Sequence, residues 1–421
     1  MSKPYVTLLG KAVRYVARLR GGGSALPGLF VEKVDPDFVR RTLSQLPDGV
    51  VVISGTNGKT TTTKMVVELL ESQGLKVFTN RTGSNFIRGV AAALLEQVDM
   101  KGKLDADIAV LELDEAHGVH FVKTIAPRYS LLLNVMRDQL DRFGEIDTTA
   151  KMLAKIAAAT LEAVVINRED PRLRAIGRIL KDKEVSYFGL SPQLQPHFPS
   201  DDEMRGSKTA KKDVPDADVV FTAVKDNVAQ FQLGGRVIST TLKLQGIYNI
   251  YNAAAALALV RAIVPDINED ALTERLSKIQ PAFGRGETLT IGSQPLELVL
   301  VKNPSGFRLS LQSFKPEGVT TMIAINDNYA DGRDMSWLWD VDFDSLRQGG
   351  VGMVSGIRAF DMALRLQYEE VNMSRVEPDI KQALQDFISS NDEPKRIYCT
   401  YTAMLQLRRE LSKITTVEQV L

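Results

Sequence analysis

One stretch indicates the fold of the first half of this 421-residue chain, Ser54-Gly55-Thr56-Asn57-Gly58-Lys59-Thr60-Thr61. The apolar run Val50–Ser54 leads into it and predicts a buried strand, and Thr60–Ser72 after it predicts a helix. A glycine-rich turn between a strand and a helix is typical of a phosphate-binding loop, because glycines let backbone amides face the phosphates and the helix N-terminus adds positive potential. The alternative is an incidental glycine-rich turn, but strand, helix, lysine and threonine together favour phosphate binding.

The loop residues have distinct expected roles. Lys59 would reach the β- and γ-phosphates of a nucleotide, and Thr60 would ligate Mg²⁺. The common motif has glycine where this chain has Ile53, so the spacing here is GxxGKT and not GxxxxGKT.

Outward from the loop, short apolar strands alternate with helical segments, as in βαβ units with a mostly parallel sheet. The further strands expected before residue 170 are Val77–Thr79, Ile108–Leu113, Leu131–Asn134 and Ala163–Asn167. Ser191–Val219 is polar and proline-containing, which predicts an exposed insertion. Pro281–Gly286 is expected to be a hinge, and a second, shorter α/β set follows it.

Composition excludes several classes of protein. Lys plus Arg and Asp plus Glu both number 52, so the zero net charge argues against a main role in binding nucleic acid. One cysteine, Cys399, and three histidines exclude a disulfide framework, an all-cysteine zinc site and a histidine-rich metal site. No apolar run approaches the roughly 20 residues that span a bilayer. We therefore expect a cytoplasmic protein.

The first 31 residues carry five basic side chains and no acidic one. A transit peptide and a basic surface for anionic lipid headgroups are both compatible with this pattern. The favoured interpretation is an amphipathic helix whose apolar stripe consists of Leu8, Leu9, Val13, Val16 and Leu19.

Several motifs resemble those of the Mur ligases, which join peptidoglycan precursors to amino acids. Gly55–Thr61 is similar to their ATP loop, and Leu111–Glu115 to their second Mg²⁺ motif, with Glu112 at the ligand position. Asn134–Gly144 resembles their Asn-x-x-x-Asp-His-Leu-Asp segment, which includes Asp138 and Asp141. The segment that contacts adenine is matched by residues 246–254, with Asn249 and Asn252, and the Asn-Pro segment of the third domain by residues 303–306.

Two departures point to one branch of the family. Gln139 replaces the expected histidine, and no lysine matches the one that is carbamoylated in other Mur ligases. Residues 137–147 and 326–337 instead resemble signatures of the MurT branch, the ligase subunits of lipid II isoglutaminyl synthase. The resemblance implies ATP and Mg²⁺ as cofactors. Many members also carry a four-cysteine zinc ribbon; this chain lacks it, so zinc is not expected.

The resemblance implies a reaction and a partner. The D-glutamate α-carboxylate of lipid II would be phosphorylated and then amidated with ammonia from a GatD-type glutaminase subunit. Arg285 would steady the transferring phosphoryl group, although a hinge arginine paired with Glu287 is an equal alternative. Asp334 would complete the catalytic triad of the glutaminase. Trp337 and Trp339 are suitable interface anchors.

The implied fold is α/β, a Mur-ligase-like central P-loop ATPase domain with a parallel sheet and a smaller C-terminal Rossmann-like domain, with the active cleft between them. We expect a helical segment over 1–45, the ATP-binding domain over 46–284 and the C-terminal domain over 285–421. Two alternatives remain, a stand-alone ligase of the muramyl or folylpolyglutamate type and a non-catalytic ATP-binding scaffold. A lipid-linked substrate would place the protein at the inner face of the plasma membrane.

Overall fold

The structure is a computed structural model that describes residues 4–19, 25–80, 87–137, 146–204, 213–225, 227–243, 246–280, 285–314 and 316–417. The described residues form two compact units, each built around its own sheet. The α/β class expected from the sequence is confirmed.

Nine strands form the sheet of the first unit. They are β1 Val50–Ser54, β2 Val77–Thr79, β3 Ile108–Glu112, β4 Tyr129–Leu132, β5 Ala163–Asn167, β6 Glu184–Leu190, β7 Val219–Lys225, β8 Val228–Leu233 and β9 Arg236–Thr241. Their order is β2-β3-β1-β4-β5-β6-β7-β8-β9, parallel from β2 to β7, with β8 and β9 added antiparallel.

The helices that precede residue 280 are α1 Pro4–Leu19, α2 Ala25–Val34, α3 Phe38–Leu43, α4 Lys59–Ser72, α5 Ile87–Gln97, α6 Glu115–Val122, α7 Ile146–Ala159, α8 Pro171–Ile179, α9 Asp201–Met204, α10 Ile247–Ile263 and α11 Glu269–Lys278. Every residue of β1 and of β3 is buried, as expected for parallel strands covered on both faces. Strand β1 lies between β3 and β4; from β1 the chain continues to β2 on one side of the sheet, and from β4 it continues to β5 on the other side. The carboxyl ends of these three strands therefore meet at a topological switch point, where open α/β sheets place their sites.

The second unit has a six-stranded sheet in the order β10-β11-β15-β12-β13-β14. Its strands are β10 Arg285–Ile291, β11 Gln294–Leu300, β12 Thr320–Ala324, β13 Met353–Ser355, β14 Val376–Glu377 and β15 Lys395–Cys399, and its helices are α12 Pro304–Ser313, α13 Ala359–Tyr368, α14 Ile380–Ser389 and α15 Tyr401–Leu411. Among the described strands of this second sheet, only the β10–β11 pair is antiparallel. Two apolar clusters cover the two faces of this sheet. Cys399 is fully buried, and burial raises the pKa of its thiol, so it is a core residue.

The polar stretch after Ser191 is not wholly an exposed insertion, which corrects the expectation from sequence. Phe198 is buried against the rings of Phe221 and Tyr251, at centroid distances of 6.5 and 5.0 Å. An aromatic ring in a polar segment thus finds apolar partners supplied by distant parts of the chain. Within the stretch, residues 205–212 lie outside the described residues. The expected hinge over 281–286 is also described only in part, since β10 begins at Arg285.

Helix α1 also differs from the expected stripe. Leu8 and Leu9 are exposed, whereas Val6 and Gly10 face α2 and α5. Among the described residues, no helix combines the length and apolar character needed to span a bilayer.

Candidate active site

The loop after β1 depends on two glycines with left-handed backbone angles. Gly55 has φ +135° and Gly58 has φ +89°, which other L-residues rarely adopt. A Cβ atom at Gly58 would lie 2.6 Å from the Asn252 side-chain oxygen, and one at Gly55 would lie 3.0 Å from the backbone nitrogen of Asn134. The glycines therefore permit both the turn and the close approach of Asn252, one of the residues expected near the adenine.

Lys59 begins α4 and is buried at the loop. Its ammonium donates to the carbonyl oxygens of Gly55 at 2.5 Å and Thr56 at 3.3 Å. The carboxylate of Glu115, also buried, lies 3.9 Å away. The loop thus holds a cation where a bound phosphate would need one.

Thr60 and Glu112 meet at the same edge of the sheet. The Thr60 hydroxyl donates to Glu112 Oε1 at 2.9 Å. Asn80 fixes the backbone of Glu112, accepting from its N–H at 3.0 Å and donating to its carbonyl at 2.9 Å. A hydroxyl and a carboxylate that lie side by side offer the hard oxygen ligands that Mg²⁺ prefers, so these residues fit that ion.

Asn134, just after β4, ties the loop to the neighbouring strand. Its side chain accepts from the Asn57 N–H at 2.8 Å and donates to the Asn57 carbonyl at 2.9 Å. Its carbonyl accepts from the Thr56 N–H at 3.1 Å. This reciprocal pairing specifies the loop conformation through residues 77 positions apart in sequence.

In the second unit, the loop after β12 is held by the buried carboxylate of Asp331. This group accepts from the N–H groups of Thr402 at 2.8 Å and Asn328 at 3.1 Å, and from the Thr402 hydroxyl at 2.5 Å. Burial raises the pKa of Asp331, while these hydrogen bonds oppose the shift. Asp331 therefore fastens the loop to the first turn of α15 and has a structural role.

Asp334, three residues further on, is partly exposed. Its carboxylate accepts from the Ser336 N–H at 2.9 Å, and hydrogen bonds from the side chain and the N–H of Ser336 lower the pKa of Asp334. An ionised, accessible carboxylate on a fixed loop can accept a hydrogen bond from outside the chain.

The two tryptophans of this segment are not equivalent, which corrects their joint assignment as interface anchors. Trp337 is buried, with its ring 6.4 Å from that of Phe307, so it belongs to the core. Trp339 is exposed and packs edge-on against Tyr368 at 5.2 Å.

The remaining sequence candidates are distributed as follows. Asn249 lies on α10 one turn before Asn252, so both are on one side of that helix. Thr61 is buried in the first turn of α4.

Arg285 is the first residue of β10, and its side chain is outside the described part. Glu287, the partner expected for it in the alternative interpretation, accepts a hydrogen bond from Arg408. Asp138, Gln139 and Asp141 also lie outside the described residues.

Sequence reasoning gave no role to Asn80, Glu115 or Asp331. Asn80 follows a three-residue strand and carries no motif, so nothing local marks it. Glu115 belongs to the acidic segment Leu111–Glu115, and its position in the first turn of α6 is the signal that could have marked it. Asp331 could not be told from its neighbours without the contact to α15.

Comparison with known proteins places this geometry in a family. Residues 53–260 match the model of the Mur ligase middle domain, and residues 300–404 match that of the MurT ligase C-terminal region. A relative from Streptococcus pneumoniae, the MurT subunit of lipid II isoglutaminyl synthase (glutamine-hydrolyzing), is 30% identical over 442 aligned positions, which cover 96% of each chain. The chain belongs to the MurT family.

Solved structures of other ligases have the same fold as this MurT family member. A pseudomurein peptide ligase type C from Methanothermus fervidus superimposes with a TM-score of 0.68 at 18% identity, covering 90% of this chain and 81% of that one. A MurF ligase from Thermotoga maritima in complex with ADP gives 0.66 at 18% identity, covering 89% and 83%. The expected Mur-ligase-like fold is therefore confirmed.

Proposed function

We propose that this chain is the ligase subunit of a two-subunit amidotransferase of peptidoglycan synthesis. It would amidate the D-glutamate α-carboxylate of lipid II to D-isoglutamine with ATP, using ammonia from a GatD-type glutaminase. The observation that carries the proposal is the end-to-end match with the pneumococcal MurT subunit, combined with an intact phosphate loop. A lipid-linked acceptor would place the reaction at the inner face of the plasma membrane.

The phosphate loop supports ATP as the energy source. Gly55–Thr61 surrounds the Lys59 ammonium, which would pair with the β- and γ-phosphates once it leaves the loop carbonyls. Thr60 and Glu112 would hold Mg²⁺, which supplies neutralisation of phosphate charge when bound. Asn249 and Asn252 would contact the adenine, as the resemblance of residues 246–254 implies, and Asn252 lies against Gly58 of the loop.

The chemistry proceeds in two displacements. A carboxylate oxygen of the acceptor attacks the γ-phosphorus, the bond to the β-phosphate oxygen breaks, and ADP leaves. Ammonia then attacks the acyl carbon, phosphate leaves with the former carboxylate oxygen, and one proton is lost to give the amide. The chain's own contribution is positioning and charge neutralisation by Lys59 and, as we propose, by Arg285.

Ammonia delivery calls for contact with the glutaminase around Asp334. The adjoining surface supports this, because α13 presents Phe360, Leu364 and Tyr368 as a stripe of exposed apolar side chains, which Ile357 extends just before the helix and Trp339 extends against Tyr368. The start of this α13 stripe is joined to the loop, since the Ile357 N–H donates to Asn326 at 3.0 Å. A stripe of this size is unusual on a free surface and is typical of an interface.

Phe360→Glu is expected to weaken binding of the glutaminase subunit by about 100-fold or more, because it buries a charge at the centre of the apolar contact. Phe360 is 69% exposed in the chain alone, so folding should be unaffected. Titration of labelled chain with purified glutaminase subunit measures the effect, with Ile414→Glu, another exposed position of the same unit, as the matched control. Equal affinity of the two variants would exclude this stripe as the docking surface.

Glu112→Gln is expected to raise the Mg²⁺ concentration for half-maximal ATP turnover at least about tenfold, since an amide is a poorer ligand than a carboxylate. Titration of turnover against Mg²⁺ checks this, with the exposed Glu184→Gln as control. An unchanged Mg²⁺ dependence would remove Glu112 from the metal site.

A further inference from the structure

Helix α1 has two apolar faces, of which only one is packed. At 100° per residue, Tyr5, Leu8, Leu9, Ala12 and Tyr15 fall within one sector about 120° wide. All five are exposed, Tyr5, Leu8 and Tyr15 by more than half of their surface. We call this sector the outer face of α1. Four large side chains on one free face form a contiguous patch of the kind that marks an interaction site.

The outer face is exposed although α1 is firmly packed against the rest of the first unit. The opposite side of the helix packs on α2 and α5 through Val6 and Gly10, and a Cβ at Gly10 would come within 2.8 Å of Leu95 and 2.9 Å of Val31. Arg14 adds an ion pair with Glu96 at 2.5 Å. Rotating α1 to bury its outer face would sacrifice these contacts, so the helix is fixed with its leucines outward.

Charge indicates which partner would cover this face. The first 31 residues carry Lys3, Lys11, Arg14, Arg18 and Arg20 and no acidic residue. Lys11 is half-buried on the flank of the outer face, while Arg14 is already paired with Glu96. An apolar face flanked by a lysine, in a stretch that carries no acidic residue, is the pattern of helices that lie in the headgroup region of anionic membranes.

We infer that the outer face of α1 binds the surface of an anionic phospholipid bilayer. The helix lies in the membrane plane, with Tyr5, Leu8, Leu9 and Tyr15 inserted between headgroups and Lys11 paired with lipid phosphates. At 16 residues with interspersed charges it is too short and too polar to span the bilayer. This attachment would hold the enzyme where a lipid-linked acceptor is found, so it extends the proposed function, but it requires neither ATP nor lipid II.

The test is flotation of the full chain with vesicles of phosphatidylglycerol and phosphatidylcholine, compared with vesicles of phosphatidylcholine alone, both free of lipid II. The wild-type chain is expected to float with the anionic vesicles and not with the neutral ones. The double variant Leu8→Glu/Leu9→Glu is expected to lose at least about tenfold in partitioning, and Lys11→Glu about fivefold. Ile179→Glu, also at an exposed position of the first unit, is expected to float like the wild type.

Three outcomes would overturn the inference. One is no flotation of the wild type with anionic vesicles, and another is equal flotation of the Leu8→Glu/Leu9→Glu variant, confirmed as folded by its circular dichroism. The third is loss of self-association or of glutaminase binding in that variant with flotation unchanged, which would assign the outer face to a second copy or to the partner. Amidation of detergent-solubilised lipid II is measured separately, so failure of flotation leaves the proposed reaction intact.

Discussion

Replacing Lys59 by alanine is expected to lower ATP-dependent amidation by about 1,000-fold or more, because in the proposed reaction its ammonium, which the loop carbonyls hold, would neutralise the transferring phosphate. The readout is formation of the amidated lipid by mass spectrometry, with ammonium as nitrogen donor. Ammonium bypasses the glutaminase, so a loss reports on this chain alone.

The matched control is Lys151→Ala, which removes an exposed lysine from α7 in the same unit and should leave the rate unchanged. Lys59 is buried and hydrogen-bonded, so the thermal unfolding midpoint of both variants is measured alongside. A folded Lys59→Ala variant that amidates at the wild-type rate would show that the loop is not the nucleotide site.

The second large effect is expected from Asp334→Asn in the complex with the glutaminase subunit. Glutamine hydrolysis should fall by about 100- to 10,000-fold, since an amide cannot stabilise the partner's imidazolium as a carboxylate does. Amidation supported by free ammonium should be unchanged, because Asp334 is partly exposed and its hydrogen bonds go to the neighbouring Ser336 and not to the phosphate loop. The split between the two nitrogen donors distinguishes a triad role from a general loss of structure.

Asp340→Asn, at an exposed aspartate of the same segment, is the control and should retain glutamine hydrolysis. If Asp334→Asn hydrolyses glutamine at the normal rate, the third triad residue has to be sought elsewhere. If both nitrogen sources fail together, Asp334 supports the fold of the loop in the way that Asp331 does.

The phosphate loop was predictable from sequence because its constraints are local. Buried parallel strands require continuous apolar runs, and β1, β2 and β5 end where the sequence predicted. Glycine is favoured at positions 55 and 58 by their positive φ angles, and the two positions lie within one four-residue stretch. Lys59 and Thr60 belong to this same short stretch, whereas Glu112 is 52 positions from Thr60 and was predicted from the resemblance of its own segment, Leu111–Glu115.

The parts that could not be predicted depend on contacts between distant residues. Asn80 and Asn134 act by holding backbone groups of another strand or loop, which no spacing reveals. The outward orientation of Leu8 and Leu9 follows from Gly10, which lets the other side of α1 approach Leu95. Trp337 and Trp339 share a motif, and only the tertiary packing separates a core residue from an exposed one.

The most direct test of the central claim is amidation of lipid II by the purified wild-type chain with Mg²⁺, ATP and ¹⁵N-ammonium. Tandem mass spectrometry of the product locates the label. The proposal predicts one ¹⁵N atom as an amide on the α-carboxyl of the D-glutamate residue, together with one ADP per amide. Label on no carboxyl group, even after addition of glutaminase subunit and glutamine, would contradict it; ATP turnover would then favour another acceptor, and its absence would favour a non-catalytic scaffold.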